Sequence, residues 1–241
     1  MQKILLYSGG MDSWLIDKIW KLDRRIYIDM HTRYSQQEIK SIKQRRNDVE
    51  IIDFPLGQWE RREDKIIPLR NLYLPMVICN ITGDEDVDIC LGATAGDRVL
   101  DKSKDYVSKA NELLNYLYQP QWWIPNGKKV NINIDFKDYT KEDLLQKYLD
   151  MGGDLDIAFN ESFSCYEPDK NGNVCYHCKP CFRKFVAFET MNYKFPEEVL
   201  QKVIPYIYSE IVPQIVAGTY DRGEKEEKTI LDEVEKYKEY I

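Results

Sequence analysis

Lys3-Ile4-Leu5-Leu6-Tyr7-Ser8-Gly9-Gly10-Met11-Asp12-Ser13 opens the chain with a short apolar run that stops at two glycines. Such a run, bounded by glycine, reads as a buried strand. Beyond the glycines, Leu15, Ile16, Ile19 and Leu22 recur at helical spacing. The segment is therefore a strand, a glycine turn and a helix. Gly9 and Gly10 let the backbone turn sharply and approach a ligand closely. The free N–H groups of the following helix point at that ligand, and the helix dipole favours an anion there. Ser8 and Ser13 add hydroxyl donors, and Met11 lies between them and the helix. Asp12 beside an anion calls for Mg²⁺ or for a role in orienting the loop. The pattern is not Walker A, which needs a Lys-Ser/Thr pair after its last glycine.

Outward from this segment, strand and helix signals alternate. Arg25 to Ile28 is a second strand, ending at Asp29, and Gln36 to Arg46 is a polar helix. Val49 to Phe54 is a third strand, closed by Pro55. Short links between such elements imply parallel strands joined by right-handed crossovers. Asn71 is placed to cap a helix over Leu72, Met76, Val77 and Asn80, with Pro75 near its first turn. Val87 to Leu91 is a fourth strand, followed by the loop Gly92-Ala93-Thr94-Ala95-Gly96. Ser103 to Leu117 reads as a helix, and residues 119–129 as a turn or hairpin insertion. Val130, Ile132, Ile134 and Phe136 alternate with polar residues, a fifth strand. Thr140 with Asp143 opens a helix through Leu149. The fold class is α/β, a doubly wound, mainly parallel five-stranded sheet. Ligands of such folds bind over the carboxyl ends of the strands. The C-terminal stretch from Pro196 reads as helical. Its stripe of Ile230, Leu231, Val234, Tyr237 and Ile241 reads as a docking or dimer face, so a homodimer is expected.

The chain has 241 residues, room for an α/β domain with a small appendage. No apolar run reaches the roughly 20 residues needed to cross a bilayer, and the start lacks a secretory signal pattern. A cytoplasmic protein without a membrane partner is expected. The net charge of −7 argues against a nucleic-acid grip and for small-molecule substrates. The basic patches Arg24-Arg25 and Lys43 to Arg46 read as solvated helix faces and loop ends.

Four of the six cysteines fall in one window: Cys165, Cys175, Cys178 and Cys181 form C-x9-C-x2-C-x2-C. In a reducing compartment this spacing means a metal site. Four thiolates satisfy tetrahedral Zn²⁺, and such a closed site is structural because no position is left for water or substrate. An iron–sulfur cluster is the competing occupant. His177, between two of the ligands, is read as lying outside the set. Cys79 and Cys90 read as small buried hydrophobes.

Ser8-Gly9-Gly10-Met11-Asp12-Ser13 resembles the PP-loop signature Ser-Gly-Gly-x-Asp-Ser of ATP pyrophosphatases. Together with the cysteine spacing it resembles the 7-cyano-7-deazaguanine synthases. Further stretches agree. Glu161-Ser162-Phe163-Ser164-Cys165-Tyr166 is similar to that family's lead into the zinc loop. Cys175-Tyr176-His177-Cys178-Lys179-Pro180-Cys181 then Arg183 resembles its Cys-Gly-x-Cys-x-x-Cys-x-x-Arg, with Tyr176 in place of glycine and the arginine one place early. Pro68-Leu69-Arg70-Asn71 resembles its Pro-Gly-Arg-Asn, with Leu69 in place of glycine. Lys141 stands where the family has a lysine opening a helix. Two stretches depart, residues 29–34 and 96–101, where only Asp29 is shared.

The resemblance implies an adenine nucleotide alpha hydrolase-like fold, a nucleotide-binding domain over residues 1–160, and a zinc-binding helical subdomain over 161–241. It implies ATP, Mg²⁺ and Zn²⁺ as cofactors, with Ser8 to Ser13 on the phosphates. It implies an ATP-dependent ligase acting on 7-carboxy-7-deazaguanine and ammonia, with catalytic roles for Asp12, Lys141 and Arg70, and with Arg98 as a further cation. The nucleophiles come from the substrates, so no side-chain triad is needed. Two other readings stand beside it: a tRNA-modifying PP-loop enzyme, and a relative that adenylates another carboxylate on a small molecule or a protein.

Overall fold

A computed structural model describes residues 1–63, 66–220 and 223–241. Asp221 and Arg222, within the C-terminal stretch read as helical, lie outside them. The chain forms two compact units, Met1–Asp154 and Leu155–Ile241.

The first unit carries β1 (Gln2–Leu6), α1 (Met11–Ile19), β2 (Arg24–Asp29), α2 (Ser35–Arg45), β3 (Val49–Asp53), α3 (Arg70–Ile81), β4 (Val87–Cys90), α4 (Lys104–Leu117), β5 (Val130–Asn133) and α5 (Lys141–Asp150). All strand pairings are parallel, in the order β3-β2-β1-β4-β5. The α/β class and the parallel sheet are as expected. The order reverses between β1 and β4, so the crevice at the carboxyl end of β1 is the switch point where such sheets bind ligands. Both faces of the sheet are covered. Ile4, Ile26, Ile28, Ile89 and Ile132 pack with Val77, Ile78, Ala110 and Leu114 of α3 and α4. Leu5 alternates to the other face and is fully buried, as are Trp14 and Leu15 of α1. There α1 packs on α5, with the rings of Trp14 and Tyr148 edge to face at 5.2 Å.

Three details differ from the sequence pattern. The fifth strand ends at Asn133, because a turn begins there in which Lys137 N–H donates to Ile134 O at 2.8 Å. Helix α3 begins at Arg70, with Leu69 as its left-handed N-cap, so Asn71 lies inside it and does not cap it. Pro75 consequently sits in mid-helix, where its missing N–H strips Asn71 O of a partner. The hydroxyl of Tyr106 on α4 donates to that same carbonyl, and the freed acceptor is satisfied from a neighbouring helix. A third correction concerns the basic patches. Arg25 and Arg46 both clamp Asp17, whose side chain is 1% exposed, and Arg24 grips Glu50 through two bonds of 2.6 and 2.7 Å. These arginines are internal fasteners and do not form solvated faces.

Two lysines close helix ends in the same way. Lys128 is buried with all three ammonium protons donated, to Cys79 O at 2.7 Å, Thr82 Oγ1 at 2.8 Å and Gly83 O at 2.7 Å, around the C-terminus of α3. In the second unit, Lys184 donates to Phe159 O and to Ser162 O, at the end of α6. A cation there satisfies orphan carbonyls and complements the dipole.

The second unit carries α6 (Leu155–Glu161), α7 (Lys179–Glu189), α8 (Glu197–Tyr206), a π-helical segment (Ile207–Ile211), α9 (Val212–Val216) and α10 (Glu224–Lys236). Helix α10 packs on the π segment and α9. Of the C-terminal apolar stripe, Ile230 is fully buried within the chain, whereas Leu231 and Ile241 are exposed. The buried face also takes in Glu233, at 3% exposure, with no partner for either carboxylate oxygen among the described residues. Burial, reinforced by the nearby Glu189 carboxylate, pushes the Glu233 carboxyl up to about 8. Unfolded, this group deprotonates near 4.3. Between those values the folded chain holds the extra proton, so stability falls by about 1.4 kcal/mol per pH unit as pH rises. Glu233→Gln removes that slope. Denaturant titrations at several pH values between 5 and 8 should show the variant gaining on the parent as pH increases; parallel curves would refute this.

Candidate functional site

The loop after β1 is built by its own side chains. Ser13 Oγ donates to Gly10 O at 3.1 Å and accepts from Ser8 N–H at 3.3 Å. Ser8 Oγ accepts from Gly10 N–H at 3.3 Å and shares a 3.2 Å contact with Ser13 Oγ. Gly9 has φ +74°, which disfavours any side chain, and a Cβ there would press on Ile42 at 3.3 Å. Gly10 is the N-cap of α1 and brings no side chain to that end, so the helix offers N–H groups to an anion. Met11 is buried beneath the loop.

Asp12, in the first turn of α1, forms an ion pair with the ammonium of Lys141, the first residue of α5. The capping box of Thr140 and Asp143 fixes that helix start: Asp143 N–H donates to Thr140 Oγ1 at 3.1 Å, and Thr140 N–H to Asp143 Oδ2 at 2.8 Å. Packing of α1 on α5 then sets the reach of the lysine. Both side chains keep about a quarter of their surface in contact with solvent, 24% for Lys141 and 29% for Asp12. The pair is a loose latch over the loop that an incoming polyphosphate could open, since the lysine exchanges one anion for another.

Arg70 opens α3, and its charge acts on Glu38 of α2. Glu38 accepts from the Tyr27 hydroxyl at 2.7 Å, and burial keeps its carboxyl above the ordinary value despite Tyr27 and Arg70. Arg98 is exposed, in the loop after β4. That loop is anchored by charge. Thr94 N–H and Lys102 Nζ donate to the Asp97 carboxylate at 2.9 and 3.1 Å, and Lys137 Nζ donates to Thr94 O and Asp97 O. Burial would raise the Asp97 carboxyl, but Lys102 and the Thr94 N–H hold it below the usual carboxylate range. Tyr27, Glu38, Asp97 and Lys137 were not singled out from sequence; they form two pairs, Tyr27 with Glu38 and Lys137 with the Asp97 loop, each joining residues from different elements that no local spacing marks.

In the second unit the four cysteines converge. Cys165, Cys175, Cys178 and Cys181 are all buried, with their sulfurs within 4.8 Å of one another. Measured separations are 3.4 Å for Cys178–Cys181 and 3.9 Å for Cys175–Cys181. A tetrahedron with Zn–S of about 2.3 Å has edges of roughly 3.8 Å. Two backbone N–H groups already point at sulfur: Cys175 N to Cys165 Sγ at 3.3 Å and His177 N to Cys175 Sγ at 3.4 Å. Such bonds favour thiolates. The donor set therefore fits a zinc ion. His177 turns its Nδ1 to Cys175 O at 2.8 Å, outside the sulfur set. Cys79 and Cys90 lie buried elsewhere, and burial pushes their thiols up to about 11 and about 12, so they are inert fillers.

The two positions where the resemblance has glycine are both left-handed here: Leu69 at φ +59° and Tyr176 at φ +60°. The backbone shape is kept without the residue that suits it. Tyr176 has compensating contacts, its ring parallel to Phe159 at 6.4 Å and under Lys202 at 5.9 Å. Leu69 is 58% exposed. Leu69→Gly is therefore expected to stabilise by a net 0.5–1 kcal/mol or about that, strain relief of roughly 1–2 kcal/mol less the glycine entropy. A rise of roughly 1–3 °C in Tm would register it, and a fall would refute it.

Residues 56–192 match the family described as queuosine biosynthesis protein QueC. The match takes in Arg70, Lys141 and all four clustered cysteines; the glycine loop lies ahead of it. The chain is 25% identical over 229 residues to the 7-cyano-7-deazaguanine synthase of Rickettsia conorii, covering 80% of this chain and 96% of that protein. It is 23% identical over 230 residues to that of Rickettsia massiliae, with 80% and 96% covered. For the Paramagnetospirillum magneticum synthase the figures are 22% over 227 residues, with 81% and 97% covered.

Proposed function

The chain belongs to the queuosine biosynthesis protein QueC family, and on that premise we propose that it is an ATP-dependent ligase making 7-cyano-7-deazaguanine from 7-carboxy-7-deazaguanine and ammonia. The observation that carries the reading is the meeting of Asp12 and Lys141 over the serine–glycine loop at the sheet's switch point. A PP-loop chemistry needs an anion cradle and a cation at one place, and the ion pair of Lys141 with Asp12 beside the serine–glycine loop supports that reading.

The loop N–H groups and the Ser8 and Ser13 hydroxyls bind the phosphates. Lys141 leaves Asp12 and spreads positive charge over the departing pyrophosphate, a transition-state role. A substrate carboxylate oxygen attacks the α-phosphorus as the bond to pyrophosphate breaks, giving an acyl adenylate. Ammonia attacks the acyl carbon, loses a proton, and AMP departs, leaving the amide. The amide oxygen takes a second adenylyl group, again with loss of pyrophosphate; loss of AMP and two protons leaves the nitrile. Asp12 would hold Mg²⁺ through a carboxylate oxygen, since that ion is usually bound by one or two carboxylates plus phosphates and would neutralise phosphate charge. Arg70 is kept, as the resemblance implies, as a further positive charge for the transition state. The second unit is assigned to Zn²⁺ on Cys165, Cys175, Cys178 and Cys181, a structural role. Small-molecule substrates, no direct nucleic-acid contact and a homodimer complete the proposal. Internal use of Arg24, Arg25 and Arg46 in ion pairs supports the small-molecule reading over a tRNA-modifying one.

A second reading, adenylation of another carboxylate on a small molecule or protein, is favoured by one feature. The loops at residues 29–34 and 96–101 depart from the family pattern, and here they carry His31 at φ +54° and the Asp97–Lys102 pair. Assaying AMP and pyrophosphate release with 7-carboxy-7-deazaguanine and ammonium decides. Release that requires that acid supports the synthase. ATP binding without release on that acid would overturn it in favour of the second reading.

A further inference from the structure

Asp29 and Asp53 end the neighbouring strands β2 and β3 and are direct partners in the parallel ladder. Like charges at facing positions repel, so something cationic belongs there. His31 stands between them: its Nε2 contacts Asp53 Oδ1 and lies 3.7 Å from Asp29 Oδ2. One ligand atom from each of the three residues lies within 4.8 Å of the others.

The group is held in place. Asp29 Oδ1 accepts the His31 N–H at 2.9 Å, which leaves Oδ2 on the imidazole side. The His31 backbone is pinned by the following loop, since Gly57 N–H donates to Met30 O at 2.6 Å. A Cβ at Gly57 would come within 2.2 Å of His31 O, so only glycine permits that approach.

We propose that Asp29 Oδ2, His31 Nε2 and a carboxylate oxygen of Asp53 bind one divalent first-row transition ion. One imidazole and two carboxylates suit ions of the manganese-to-zinc range better than Ca²⁺, which takes oxygen donors. The side chains of His31 and Asp53 are 51% and 70% exposed, so the ion keeps positions open to water or to an oxygen donor of a ligand. This site shares no residue with the four-cysteine cluster and differs from it in chemistry, nitrogen and oxygen against sulfur. It stands independently of the ligase reading.

The alternative occupant of the same charge gap is the proton of an imidazolium. The test uses the full chain, its cysteine cluster first loaded with Zn²⁺, titrated with Co²⁺ at pH 7.5 by calorimetry and visible absorption. The expected result is one Co²⁺ per chain with d–d absorption and no thiolate-to-metal charge transfer. Cobalt entering the cysteine cluster would reveal itself by that charge-transfer band, so the two sites are read separately. His31→Asn, which tolerates the left-handed backbone, and Asp53→Asn should each weaken the sulfur-free binding at least tenfold. Outer-shell changes alone cost about 10–100-fold, and these are direct ligands. Absence of a sulfur-free cobalt signal, or unchanged binding in both variants, would overturn the proposal.

Discussion

Lys141→Met should lower the rate of pyrophosphate release by roughly 10²–10³-fold, or about 3–4 kcal/mol, while Tm moves little. The magnitude follows from removing one preorganised positive donor aimed at charge that grows in the transition state. The stability expectation follows from exposure. Lys141 and Asp12 are each about a quarter exposed, so the unpaired Asp12 carboxylate stays hydrated and the fold does not depend on the pair. The measurement is a split of kcat from KM for ATP. A loss confined to KM would assign Lys141 to ground-state binding; an unchanged kcat/KM would remove it from the site. Asp12→Asn is the companion variant, expected to abolish release with the fold intact.

Cys178→Ser should have the largest effect on the fold of the second unit. Structural zinc in small domains supplies binding free energy of order 10 kcal/mol that is folding free energy as well. Cys178 is the N-cap of α7 as well as a member of the cluster, so losing the metal also releases the start of a helix bearing the fully buried Phe185, Ala187 and Phe188. Zinc content measured by elemental analysis should drop to near zero, and amide exchange should accelerate across residues 165–189. A variant that kept its Tm without zinc would show the cluster to be dispensable.

The glycine loop and the cysteine cluster were both legible because each is local: glycines and serines within six positions, and cysteines within seventeen, state their chemistry by spacing. The five strands were legible for a similar reason, four as short apolar runs closed by turn residues and the fifth by its alternation of apolar and polar residues. What could not be read depends on pairings made across the fold. Pro75 was placed in a first turn because Asn71 makes a good cap; the left-handed Leu69 that caps α3 two residues earlier has no signature of its own. Glu233 falls three residues after Ile230, on its helical face, but a carboxylate there gives no sign that the face is buried. The Asp29–Asp53 pairing is set by strand register, which side-chain identity alone does not specify. Arg70 was grouped with Lys141 on resemblance, and the effect of its charge on Glu38 of another helix is a pairing that no local spacing announces.

Asp12 meets its counter-ion 129 residues further along the chain. Ribosomes add about 5–20 residues per second, so roughly 6–26 s separate the emergence of the two halves of this pair. Through that interval a nascent chain displays the loop but lacks the lysine. A polypeptide interrupted before α5 therefore carries the glycine loop without the lysine that pairs with Asp12, and the pair can close only once 141 of the 241 residues have been made.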